Sequence, residues 1–267
     1  MNAFRLYRRY IGVSLRGQMQ YPAAFLITSA GAFFSTVIEF FGLWMLFVRF
    51  NNIDGWRFEE VALFYGVIGV SFALADTVTR GFDLFGPQFV KTGDFDRLLV
   101  RPRSTILQLL GYELRANRVG RLAQGMLAWA IGMHLSRIAW TWREWIVLLF
   151  AVAGGMALFG GILILQATLA FWTVESLEIA NTLTYGGVEA AQYPLDIYFR
   201  WFRRFLTFVV PMAGVSYFPI AWVLGRSDRT GLPDWLLPLA PMMGIVFLIV
   251  SLWVWRFGVR HYTSTGS

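Results

Sequence analysis

The chain has no cysteine, a single lysine and two histidines among 267 residues, and only 15% of it is charged. Without cysteine there is neither a disulfide framework nor a thiolate metal site, and His134 and His261 lie far apart in sequence, so no metal centre is expected. The one lysine, Lys91, follows Val90, which excludes the GxxxxGK[ST] phosphate cradle: ATP is not bound here in that way. No GxSxG, HExxH or kinase-like set occurs, and the few carboxylates show no paired spacing suited to a general acid and base. An enzyme is therefore a weak reading, and no cofactor is expected in this chain.

What fills the sequence instead is apolar. Hydrophobic residues make up 57% and the mean hydropathy is +0.55, where a soluble domain has roughly 45–50% apolar and 25% charged residues. Apolar runs fall at 22–48, 60–79, 119–138, 145–173, 205–224 and 236–257, each near the roughly 20 residues that cross a hydrocarbon core. The pattern predicts an all-α integral membrane protein, one transmembrane domain over 1–267 with six transmembrane helices. No second domain is indicated, and the N-terminal stretch lacks a small-residue cleavage site before the first long run, so no removed signal peptide is expected.

The net charge of +7 could suggest nucleic acid, but the arginines stand at the ends of apolar runs instead of along one basic face. An even number of spans puts both termini on one side. If that side is cytoplasmic, 17 of the 23 basic residues lie inside and 6 outside, the bias the positive-inside rule requires. Tryptophans such as Trp44, Trp56, Trp140, Trp145, Trp235 and Trp255 near predicted span ends agree with aromatic belts.

Residues 1–20 form a separate feature. At 100° per residue Phe4, Tyr7, Ile11, Leu15 and Met19 share one face and Arg5, Arg9 and Arg16 a neighbouring one, predicting an amphipathic helix in the inner headgroup layer. Between the second and third runs, 81–103 mixes both charge signs, aromatics and breakers at Gly86-Pro87, Gly93 and Pro102, which suits short helices packed on a cytoplasmic partner or folded back on the chain. The segment 174–206 reads as a second inner, membrane-hugging stretch, with Glu175 and Glu178 on one face and Asp196 paired with Arg200 four residues on. Pro211 and Pro219 break the fifth run, and Pro233, Pro238 and Pro241 precede the sixth, so a kinked or partly re-entrant outer segment is anticipated.

Within the runs, Glu39 sits near the middle of the first, where an ionised carboxylate costs on the order of 3 kcal/mol. It is expected to line a substrate path or a subunit interface, or else to make a structural hydrogen bond to another helix. Asp76 has Arg80 four residues on and is read as a self-neutralising pair. Ala153, Ala157 and Gly161 form a small-residue face suited to close helix contact.

Three stretches carry a family resemblance. TGDFDRLLVRP (92–102) resembles the Gly-x-x-Asp-x-x-Leu-x-Arg-Pro element of type-2 ATP-binding-cassette permeases, in a bacterial branch of that family. YPLDIYFRWFRRFLTFVVPMAGVSYFP (193–219) is similar to the branch's second signature, and STGS (264–267) to its usual end. The resemblance implies an N-terminal interfacial helix plus six spans in a bacterial inner membrane, with two permeases, here an unlike pair, and two copies of a separate cytoplasmic ATPase that holds ATP and Mg. It implies that Gly93, Asp96, Arg101 and Pro102 belong to the element that docks on the ATPase. Phe82, Asp83, Phe85 and Arg97 join them on polarity alone. Export is the family's commonest direction. The competing reading is an ion-coupled secondary transporter that uses Glu39, although no internal repeat supports it.

Overall fold

The computed structural model describes residues 3–114, 118–136, 138–173 and 177–263. Arg115, Arg137, Glu175 and the closing STGS lie outside these, as do the side chains of Phe4 and Glu178. Among the described residues the chain is helical, with no strand beyond one isolated bridge between Ile53 and Trp56.

Helix α1 (Ala3–Gln18) leads into α2 (Pro22–Phe50), where Pro22 occupies the first turn, a position whose missing N–H leaves nothing unsatisfied. Asn51 (φ 59°), Asp54 (φ 51°) and Gly55 (φ 79°) then reverse the chain. Asn and Asp tolerate this left-handed region because a short polar side chain can bond locally. Helix α3 (Phe58–Val78) begins with Glu59 and Glu60 in its first turn, favoured by the dipole, and the Arg57 N–H donates to Glu60 Oε2 at 2.8 Å. Short helices α4 (Arg80–Asp83), α5 (Asp94–Leu99) and α6 (Thr105–Leu110) follow, with a wide π turn, Phe85–Val90, between the first two. Then come α7 (Val119–Leu135), α8 (Trp142–Leu169) and α9 (Leu177–Ala191), the broken run α10 (Arg200–Arg204), α11 (Met212–Val215) and α12 (Tyr217–Val223), and finally α13 (Met242–Arg260).

Four of these, α2, α3, α8 and α13, are long and apolar enough to cross a membrane. They pack through glycine, because lipid supplies no hydrophobic force between helices and close backbone approach must do that work. A Cβ at Gly66 would lie 2.4 Å from the Trp129 amide nitrogen and one at Gly132 2.8 Å from that of Leu63, so α3 and α7 meet backbone to backbone. Between α8 and α13 a Cβ at Gly244 would come within 2.1 Å of the Gly154 carbonyl oxygen, and one at Gly161 within 2.9 Å of Phe247 and Ser251. The expected small face is therefore only partly used. Gly161 is buried in the seam, Ala153 is exposed, and Gly154, one position over, makes the tightest approach.

Two buried tryptophans mark the ends of the bundle. Trp56 precedes α3 and Trp255 lies near the end of α13; both are within 1% of full burial. Helices α2, α3, α7, α8 and α13 alternate between these ends.

The fifth predicted run is bent, as its prolines lead one to expect. The described pieces 200–209 and 212–223 bend by 76°. Both flanks return to the Trp56 end: Asp196 accepts the Trp56 indole N–H at 3.0 Å and meets Arg229 at 3.3 Å, while Arg226 grips Glu60 at 2.6 and 2.9 Å. Pro211, with no N–H to donate, sits at the bend. Helix α9, expected to hug the membrane surface, packs against α3 and α8: Thr184 Oγ1 donates to Gln166 at 3.1 Å and the Tyr185 ring lies 5.7 Å from that of Phe72.

Two local ion pairs also give way to distant ones. Asp76 Oδ2 lies 2.5 Å from Arg118 Nε of α7, and Arg80 pairs with Asp83. Asp196 takes Arg229 in place of Arg200. Helical spacing permits the local pairs, but a buried carboxylate is better desolvated against a partner held fixed by packing.

Candidate functional site

The 81–103 segment is built in two layers. Its inner layer is an aromatic nest. Phe82, Phe85, Phe95 and Phe171 surround Trp255, with ring centroids 5.1, 4.9, 6.4 and 5.2 Å from it, and Phe82, Phe85 and Phe95 are essentially fully buried. The Trp255 indole donates to Thr105 Oγ1 at 3.2 Å. Gln108, itself buried, donates through Nε2 to the carbonyls of Leu98 at 3.0 Å and Arg103 at 3.1 Å, which closes the segment on α6. Sequence reasoning missed Gln108, because a lone glutamine between leucines carries no local signal.

The outer layer faces away from the nest. Gly93 adopts φ 74°, a left-handed turn that starts α5, and Arg97 pairs with Asp94 at 3.0 Å on the surface. Beyond it Leu99, Val100, Arg101, Pro102 and Arg103 are all exposed, Val100 at 86%. The expected set thus divides. Gly93, Arg97, Arg101 and Pro102 lie at or beside this ridge, and Asp96 is half-buried at its base. Phe82 and Phe85 offer no surface, and Asp83 is closed off by its pairing with Arg80. Aromatics three residues apart found partners inside the same chain, on α8 and α13.

Glu39 belongs to a second, polar feature. It is exposed on α2 and lines a cavity of about 80 Å³ with Tyr65 of α3, Arg121 and Gln124 of α7, Glu189 of α9 and Gln192 just beyond it. The cavity exists because α9 passes here, and hydropathy had given that stretch to the surface. Above it, burial, helped by Tyr193 and Glu189, pushes the Tyr198 hydroxyl up to about 12, and this neutral group donates to the Ala190 carbonyl at 3.2 Å. A larger, apolar chamber of about 380 Å³ opens between α8, α9, the bent segment and α13, lined by Leu165, Phe205, Met212 and Phe247 among others. No group of His, Cys, Asp and Glu suited to a metal ion occurs among the described residues.

A family model described as ABC-2 family transporter protein matches residues 33–266. No curated protein and no solved structure matches the chain.

Proposed function

The chain belongs to the ABC-2 transporter protein family, a multi-pass membrane permease component, and from that premise we propose that it is one half of an ATP-driven exporter whose energy comes from a separate ATPase. The observation that carries the reading is the ridge Leu99–Arg103, exposed apolar and basic side chains held on a rigid aromatic footing. A coupling element has to be stiff, because movement of the ATPase reaches the spans only through parts that do not yield. The nest around Trp255 connects that ridge directly to α8 and α13.

In this reading α2, α3, α7, α8, α9 and α13 are the six spans, and 200–223 dips into the membrane from the outer side and returns. The Trp255 end is cytoplasmic in a bacterial inner membrane, with both termini on that side and α1 lying in the headgroups. Moving Arg200, Arg203 and Arg204 outward reduces the inner count from 17 to 14 of 23 basic residues, still the majority. Each permease pairs with a second, non-identical one, and two ATPase copies hold ATP and Mg. The apolar chamber suits a lipophilic cargo.

Copurification tests it. An ATPase should come down with the full-length chain from native membranes, and the Val100→Asp, Arg101→Glu double variant should lose it while keeping its unfolding temperature. Normal assembly and transport by that variant overturns the docking assignment. Transport that survives ATP depletion and collapses with an uncoupler overturns the ATP-driven reading in favour of ion coupling through Glu39.

A further inference from the structure

The cleft around Glu39 contains groups that the fold leaves unused. Glu39 and Glu189 face one cavity from α2 and α9, and Arg121 faces it from α7. Among the described residues neither carboxylate makes an ion pair, and the Arg121 guanidinium lies over the Phe72 ring at 5.5 Å instead. An unpaired carboxylate at this depth costs on the order of 3 kcal/mol in lipid, and two of them facing one cavity raise that cost through mutual repulsion. A second, independent observation points the same way. Gln124 is 2% exposed, its Nε2 has no hydrogen-bond partner, and it lines the same cavity. A buried amide N–H without a partner is rare, and it asks for an acceptor.

We infer that this cleft receives the head of an amino alcohol: a protonated amine between Glu39 and Glu189, with its hydroxyl oxygen accepting from Gln124 Nε2. The chemistry follows from the donor set. Two carboxylates against one guanidinium leave a net negative site, which selects a cation, and the glutamine N–H adds the demand for a neighbouring acceptor. Size limits what enters. About 80 Å³ is room for a few heavy atoms, given roughly 10–15 Å³ for one water. Any apolar tail would lie along the exposed face of α2, at Phe34, Ile38 and Phe41. The inference rests on the transporter reading for its biological meaning, since it names the head group of the cargo, but not for its measurement.

The test uses the full-length chain in lipid nanodiscs without any ATPase, and follows the thermal unfolding shift with ethanolamine, 2-aminododecan-1-ol and dodecan-1-ol. The amines should stabilise the chain and the plain alcohol should not. Stabilisation by 2-aminododecan-1-ol alone assigns a membrane-borne head; stabilisation by both assigns the head in either source. Glu39→Gln and Glu189→Gln should each weaken amine binding by about thirtyfold, the lower end of the scale for losing one partner of a desolvated charge pair. Arg121→Gln should tighten it, a change of sign that misfolding cannot imitate. Amine shifts that are unaltered in both glutamine variants, equal shifts with dodecan-1-ol, or no shift with either amine overturn the assignment. Because no ATPase is present, amine binding by a chain that recruits none leaves the cleft standing and removes the transporter, and the converse result removes only the cleft.

Discussion

Trp56 and Trp255 are equally buried, at opposite ends of one bundle, and they are held by different physics. Around Trp56 ions join the rings of Phe64 and Tyr217: Arg226 and Arg229 lie over its ring at 5.0 and 5.2 Å, its N–H goes to the Asp196 carboxylate, and Glu60 takes Arg226 through two bonds. Around Trp255 the partners are rings, and its N–H goes to a neutral hydroxyl. The ionic end fastens a segment that bends back, where directional bonds must hold irregular backbone in place. The aromatic end fastens the exposed ridge Leu99–Arg103, where dense packing in all directions holds short helical pieces together.

The contrast can be broken most forcefully at the aromatic end. Trp255→Ala should cost about 3–5 kcal/mol, the range for large-to-small changes at packed aromatics. Hydrogen exchange should then rise across 85–98 while 226–229 stays protected; a uniform rise would mean the two ends are not separate units. Next, Glu60→Ala leaves the Arg226 guanidinium without its carboxylate. About 2–3 kcal/mol is expected, moderated because Arg226 keeps a quarter of its side-chain surface exposed, and the exchange increase should now fall on 226–229. The two tryptophans can be compared directly by conservative change. Trp56→Phe removes a hydrogen bond to a charged group, about 1.5–3 kcal/mol, and Trp255→Phe one to a neutral group, about 0.5–1.5 kcal/mol. Equal costs in denaturant titration would erase the distinction between the ends. The smallest effect belongs to Arg101→Glu, expected to stay within about 0.5 kcal/mol of the wild-type stability, as exposed positions do, while abolishing ATPase capture.

Much of the fold could be read before the structure. Helices α2, α3, α8 and α13 coincide with four of the six apolar runs, and the mixed 81–103 stretch forms short helices near its glycines and prolines. Hydropathy places a run at 205–224 and none at 177–191 for a definite reason. Hydropathy scores residues by what they are, and 205–224 is more apolar than 177–191, which carries Asn181, Thr184 and Glu189. Those polar groups of α9 are not all turned to lipid: Thr184 bonds Gln166 and Glu189 faces the cleft. The apolar 205–224 stretch packs against α8 and α13 and reverses at Pro211. Of the candidate site, Glu39 and the exposed Arg101-Pro102 were legible, because one is a charge where lipid tolerates few and the other a pattern in a polar loop. Glu189, Arg121 and Gln124 were not, since nothing local links three residues from two distant helices.

Composition and periodicity alone determine that the chain is a helical bundle for lipid, that it lacks a phosphate cradle, and that its polarity concentrates in one segment, because these are sums over neighbouring residues. Which helices touch, which carboxylate meets which arginine, and that the aromatics of 81–103 turn inward while Leu99–Arg103 turn outward were decided by tertiary structure. Ion pairs such as Asp76 with Arg118 and Glu60 with Arg226 join residues far apart in sequence, and their partners are selected by where glycine lets the helices come together.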